Sequence, residues 1–253
     1  MPTYRGGRHE HGQNFLTDRA TVRAVVNLVA DTDGPILEIG PGSGALTRPL
    51  ACLGRPLTAV EIDDRHARRL RRELHGTTVI HRDFLDHRLS PEPHTVVGNL
   101  PFHLTTAILR KVLHAPHWTD AVLITQWEVA RRRAGVGGST MMTAQWLPWY
   151  EFRLRQRIPA GAFTPRPTVD AGLLTITRRT SPLVPVARRR AYSSFVHAVF
   201  TGRGHGLAAV LAGVAPQHAG AARKWVAAQG FRGTPLPRDL DAAHWADAFT
   251  RFG

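Results

Sequence analysis

This 253-residue chain has almost no cysteine. The lone Cys52 excludes an internal disulfide and suits a reducing compartment. Long apolar runs are missing too. Stretches such as Ala121 to Thr125 are strand-sized, far short of what a bilayer-crossing helix needs. Met1 to Gly12 is polar and lacks the apolar core of a secretory signal. A cytoplasmic protein with no membrane partner is expected. Lysine is scarce, at Lys111 and Lys224 only, and acids are few. Histidine is plentiful, but His9 and His11 lack further spaced ligands, so no metal is expected.

The shortage of acids leaves 19 Asp and Glu against 33 Lys and Arg, a formal charge of +14. A GC-rich genome would explain the preference for arginine over lysine. It would not explain why acids fail to balance the bases. Such an excess points to a polyanion, because each neutralised phosphate releases condensed counterions. Nucleic acid fits better than an anionic membrane, since no basic amphipathic anchor is evident. The length allows one large domain, or one with a small satellite.

From Pro35 to about Arg178, short β-rich runs alternate with helical patterns, the signature of an α/β sheet. Strands are predicted over Ile36 to Ile39, Leu57 to Ile62, Thr77 to Ile80, Thr95 to Gly98 and Ala121 to Gln126. Two more follow at Tyr150 to Ile158 and Gly172 to Thr177. Pro159, Pro165 and Pro167 deny helix to the loop between those two. Thr17 or Asp18 is placed to cap a helix whose inner face carries Val22, Val25, Val26 and Val29. Ala67, Leu70 and Leu74 set the inner face of another, Arg65 to Leu74. After Pro182 and Pro185 the chain reads as short helices near 188–200, 206–211, 221–229 and 242–249. The expected domains are 1–178, with 1–12 as a flexible arm, and a helical satellite over 179–253.

Glu38-Ile39-Gly40-Pro41-Gly42-Ser43-Gly44 ends a strand in a glycine-rich turn that lets backbone approach a ligand. Its G-x-G-x-G spacing differs from the G-x-G-x-x-G of nicotinamide enzymes. Glu61 closes the next strand, where a carboxylate can accept both hydroxyls of a ribose. Alternatively, Glu61 is a helix N-terminal charge ahead of Asp63 and Asp64. Asp83-Phe84 follows the third strand, where an aspartate can accept from an adenine amine while the phenyl ring covers the base. Alone, Asp83 would read as a turn or cap residue. Turn, ribose acceptor and adenine acceptor at three adjacent strand ends describe an S-adenosylmethionine pocket.

Asn99-Leu100-Pro101-Phe102 ends the fourth strand. An exocyclic adenine amine is a poor nucleophile because its lone pair is delocalised into the ring. Two acceptors on its hydrogens, here the Asn99 side-chain oxygen and the Leu100 carbonyl, favour a pyramidal nitrogen. Pro101 fixes the turn and Phe102 can stack on the base. A paired base cannot present its amine this way, so the target is unpaired or flipped. In isolation the tetrapeptide would be an ordinary strand-to-turn segment.

Together these residues resemble the ribosomal RNA adenine N6-methyltransferases of KsgA and Erm type. The similarity runs through Gly12 to Leu16, Glu38 to Thr47, Val60 to Asp63, Asp83 to Leu85 and Asn99 to Phe102. It continues through Gln126 to Arg132 and Phe163 to Asp170. The resemblance implies a class I S-adenosylmethionine-dependent fold: a Rossmann-like, seven-stranded, mostly parallel sheet, its last strand antiparallel, with a small helical RNA-binding domain behind it. It implies that Asn14, Leu16, Gly40, Glu61, Asp83 and Asn99 contact the cofactor. Gly42, Ile62 and Phe84 complete that set. Phe163 resembles the family's second aromatic at the flipped base.

Gln126 to Arg132 and Gln145-Trp146-Leu147-Pro148-Trp149-Tyr150 resemble the Erm branch, whose members modify one adenine of 23S rRNA. Trp127 and Phe102 stand where KsgA-type proteins carry lysine and tyrosine. The resemblance therefore implies 23S rRNA, naked or at a precursor stage, as partner of a monomer, with protection against macrolides, lincosamides and streptogramin B. The alternatives are KsgA-type dimethylation of 16S rRNA, a silent RNA-binding protein of the same fold, and DNA adenine methylation. Arg131 to Arg133 and Arg188 to Arg190 are candidate phosphate contacts, or else a solvated helix face. Trp127, Trp146 and Trp149 are expected in packing more than in base stacking. His103 and Phe200 to His205 depart from the family pattern.

Overall fold

The computed structural model describes residues 14–253. The arm expected over 1–12, with Gln13, lies outside them. Strand β1 (Phe15–Leu16) leads into α1 (Arg19–Ala30). Asp18 is the cap: its carboxylate accepts from the Thr21 N–H at 2.7 Å and the Thr21 hydroxyl at 2.6 Å. The helix buries Val25 and Val29, with Val22 and Val26 partly buried against the same core, so the predicted face is the inner one.

The remaining strands are β2 (Ile36–Ile39), β3 (Leu57–Glu61), β4 (Thr77–His81), β5 (His94–Asn99), β6 (Trp118–Gln126), β7 (Tyr150–Ile158), β8 (Phe163–Thr164) and β9 (Ala171–Arg178). Seven form one mixed sheet in the order β4-β3-β2-β5-β6-β9-β7. The pairings β2 with β3 and β5, β3 with β4, and β5 with β6 are parallel. All four residues of β2 are buried, as expected for a parallel strand covered on both faces. The chain builds outward from β2 through β3 to β4, then returns to β2's other side as β5. That reversal opens a crevice beyond the carboxyl ends of β2 and β5.

Register decides what faces the crevice. Ile39 pairs with Val60 on one side and Gly98 on the other, and the Gly40 N–H donates to the Val60 carbonyl at 2.9 Å. Gly40, Glu61 and Asn99 therefore emerge side by side. The close β2–β5 approach depends on Gly98, where a Cβ would sit 2.8 Å from the Ile39 carbonyl oxygen.

The loop after β7 is more structured than its prolines suggest. Ala160–Ala162 form a 3₁₀ turn and Phe163–Thr164 pair antiparallel with β1. Thr17 N–H also donates to the Ala162 carbonyl at 2.8 Å. This pairing joins segments some 145 residues apart, which local pattern cannot register.

Helices between the strands are α2 (Thr47–Ala51), α3 (Asp64–Glu73), α4 (Thr105–His114), α5 (Trp127–Arg133) and α6 (Met141–Ala144). Then come α7 (Arg189–Thr201), α8 (Leu207–Val214), α9 (Ala219–Ala228) and α10 (Ala242–Phe252), near the positions read from the sequence.

Two compact units result: residues 14–130 with Arg153–Ile176, and Arg131–Phe152 with Thr177–Gly253. The expected boundary at 178/179 thus shifts to Ile176/Thr177, and Arg131–Phe152 leaves the first domain for the second unit. Aromatic packing accounts for the transfer. Trp149 and Tyr192 meet edge to face at 5.3 Å, Tyr192 and Phe249 at 5.2 Å, and the Tyr192 hydroxyl donates to the Ala144 carbonyl at 2.8 Å. Trp146 and Trp149 are buried there, as packing residues.

Candidate active site

One pocket lies in the crevice. Its walls include Asn14, Leu16, Gly40, Gly42, Glu61, Ile62, Asn99, Leu100, Pro101 and Phe102, every one a residue picked out from the sequence. Glu38, Phe15 and Ser43 line it as well.

Glu61 organises the floor. Its Oε2 accepts from the Gly42 N–H and its Oε1 from the Asp63 N–H, both at 2.8 Å. One carboxylate thereby ties the glycine turn to the approach of α3, and each oxygen keeps lone-pair capacity for a further donor. The helix charge itself falls to Asp63, whose side chain caps α3 through Arg65 and His66 N–H groups. Gly42 has φ +51, and a Cβ there would lie 2.9 Å from Phe15 Cε1, so the turn is shaped for a residue without a side chain.

Glu38, the acid within strand β2, also faces the pocket. It is 1 % exposed, with one carboxyl oxygen lacking any hydrogen-bond partner among the described residues. Burial pushes its pKa up to about 8; the Glu61 charge adds to the rise and the Thr47 hydroxyl opposes it. The sequence signal was an acid inside the otherwise apolar strand Ile-Leu-Glu-Ile, a costly residue to bury without a purpose.

On the opposite wall the Asn99 side-chain amide donates through Nδ2 to the Asn14 carbonyl at 2.8 Å. The amide group can make that bond only with its nitrogen, so Oδ1 stays free to accept. Leu100 is buried and its N–H is held by the Ile124 carbonyl at 2.9 Å, which fixes the peptide that follows Asn99. Pro101 starts the turn into α4, its carbonyl accepting from the Leu104 N–H at 3.0 Å.

The profile of the ribosomal RNA adenine dimethylase family matches residues 5–229. The chain belongs to this family. It is 57% identical to an rRNA adenine N-6-methyltransferase of Corynebacterium diphtheriae over 83% of this chain and 84% of that one. It is 46% identical to the mycinamicin-resistance protein MyrB of Micromonospora griseorubida, over 96% of this chain and 78% of that protein. The crystal structure of the 23S rRNA methyltransferase ErmE superposes with a TM-score of 0.83 at 35% identity, covering 94% of this chain and 99% of that one. The family's fold and its enzyme class, rRNA adenine N6-methyltransferase, are therefore those of this chain.

Three further residues expected at the site do not line this pocket. Asp83 is not on the pocket wall; its Oδ1 accepts from the Leu85 N–H at 2.8 Å and caps the 3₁₀ turn Phe84–Asp86, the alternative weighed above. Phe84 is buried, with the Lys111 ammonium 5.3 Å from its ring centre. Phe163 is 3 % exposed and belongs to the core cluster with Leu16, Val25 and Ile158. Its ring is occupied by packing, because β8 must lie against β1. Phe102 packs against that same cluster but stays partly exposed on the pocket wall, where Phe15 is the other aromatic.

Proposed function

We propose that this protein methylates the exocyclic N6 of an unpaired or flipped adenine in 23S rRNA, and that the modification protects against macrolide, lincosamide and streptogramin B antibiotics. The observation that carries the reading is the Asn99 amide, anchored by the Asn14 carbonyl so that its oxygen remains an acceptor beside the Glu61-braced glycine turn.

The residues fit S-adenosylmethionine. Gly42, at φ +51 and without a side chain, lets backbone approach a ligand, Glu61 retains acceptor capacity for ribose hydroxyls, and the Glu38 carboxyl, held neutral by burial, can ionise beside a cationic ligand. The cofactor supplies a methyl group activated on a sulfonium. Asn14, Leu16, Gly40, Gly42, Glu61 and Ile62 hold it, and Asp83 offers its second carboxylate oxygen to the adenine moiety from the neighbouring strand end. Phe102 stacks on the substrate base, while Asn99 Oδ1 and the Leu100 carbonyl accept the two amine hydrogens and turn the nitrogen lone pair out of conjugation. Alignment of that lone pair supplies much of the acceleration. No strong base is required, because the amine becomes acidic once alkylated. In this reading the unit of residues 14–130 with Arg153–Ile176 forms the catalytic part, and the unit of Arg131–Phe152 with Thr177–Gly253 is the RNA-binding part.

Mass spectrometry of rRNA from a macrolide-sensitive bacterium expressing the protein tests it. Methylated adenine is expected in 23S rRNA. Modification confined to 16S rRNA would transfer the protein to the KsgA-type activity.

A further inference from the structure

The pocket residues hold one base, yet a polynucleotide must be held along its length. The strand β7 offers a surface for this. It is an edge strand, and Arg153, Arg155 and Arg157 alternate along it, all three exposed. Alternate residues of a strand share one face at a spacing of about 6.6–6.8 Å. That interval is close to the separation of successive phosphates along an extended single strand.

Two of these side chains are also held in place. Arg155 Nε donates to the Thr175 hydroxyl at 2.9 Å, and Arg157 Nε to Asp170 Oδ2 at 2.8 Å. The Arg157 guanidinium further lies 5.1 Å from the ring centre of Trp127. Each of the two spends its Nε internally and keeps both Nη amines, the fork that matches phosphate oxygens. Ordering such long side chains in advance lowers the entropy cost of gripping a ligand. Charges on an edge strand also discourage edge-to-edge association, but that purpose does not ask for guanidinium groups held in place.

We propose that the arginine face of β7 is a rail for the sugar–phosphate backbone of the RNA that carries the target adenine. The proposal rests on the rRNA reading above and adds the surface along which the strand runs. The rail contacts phosphate only, so it contributes affinity without sequence preference.

The test is RNA binding by the full chain across a salt series, with a triple variant R153Q/R155Q/R157Q and a charge-conserving R153K/R155K/R157K. Three neutralised phosphates lost predict a slope of log affinity against log salt smaller by about 2 in the glutamine variant. The lysine variant keeps most of the slope. Two unrelated single-stranded RNAs should lose affinity equally, at least tenfold at about 0.15 M salt, while S-adenosylmethionine affinity holds. Should the triple glutamine variant fail to fold, the single variants Arg153→Gln, Arg155→Gln and Arg157→Gln each carry a predicted slope loss of about 0.7–0.9. A wild-type slope in folded glutamine variants overturns the rail and leaves the methyltransferase reading intact. If the wild-type protein binds no RNA at all, both readings fall.

Discussion

Asn99 and Asn14, separated by 85 residues, are joined by one hydrogen bond of 2.8 Å from the side-chain amide of the first to the carbonyl of the second. The bond fixes which end of the Asn99 amide is available. Its nitrogen is consumed, so the oxygen is the atom left to meet an incoming amine. Asn99→Ala is therefore expected to lower turnover by about 10²–10³, the usual scale for removing one positioned polar group at a reacting centre. Calorimetry should find S-adenosylmethionine affinity changed by less than about tenfold. A variant that still turns over at the wild-type rate would remove Asn99 from the chemistry.

Glu61 makes a different prediction, because it shapes the turn as well as the ligand site. Glu61→Gln replaces one acceptor oxygen by an NH₂ that faces a backbone N–H, either of Gly42 or of Asp63. Leaving that donor unsatisfied costs about 1–3 kcal/mol, and to the extent that the cofactor needs the turn intact, its affinity falls by about 5- to 150-fold. Calorimetric titration at constant pH reads it directly; unchanged affinity would mean that the turn does not depend on the carboxylate.

Glu38 links the pocket to pH. Its carboxyl is raised from 4.5 to about 8, so the folded protein keeps a proton that the unfolded chain gives up. The contribution to stability is complete below 4.5 and is lost as pH climbs through 8. Glu38→Gln stays neutral throughout. Urea unfolding should place it near wild type at about pH 5 and more stable by up to about 4 kcal/mol at about pH 8.5. A gap between the two proteins that does not widen with pH would show that Glu38 is already ionised.

Phe163 and Phe102 should part company. Phe163 is enclosed by the core, so Phe163→Ala should cost about 3–5 kcal/mol of stability. Phe163→Leu should stay folded and retain most turnover. Phe102→Leu should instead raise the RNA KM or lower kcat with little loss of stability. If Phe163→Leu melts like wild type yet is inactive, the ring has a direct part at the base after all.

Much of the site was legible because strand-end chemistry is local. Glycine spacing, an acid closing the second strand and Asn-Leu-Pro-Phe closing the fourth each fit within a few residues, and the parallel sheet needed only to line them up. Asp83 shows where this stops: as a turn cap and as a ligand it has the same sequence context, and only the Leu85 N–H decides which bond it makes without ligand.

From the sequence came the seven strands of the sheet, the later helices, a cap at either Thr17 or Asp18, the basic character and most of the residues that converge on the crevice. These follow from periodicity, turn chemistry and charge, all short-range properties. Only the assembled fold settled that β8 pairs with β1 and buries Phe163, that Arg131–Phe152 joins the second unit, that Glu38 is buried with a raised pKa, and that β7 is an edge carrying three exposed arginines, two of them held by side-chain bonds. Each depends on which distant segment lies alongside. Burial, desolvation and edge position belong to that neighbourhood, and no window of sequence contains it.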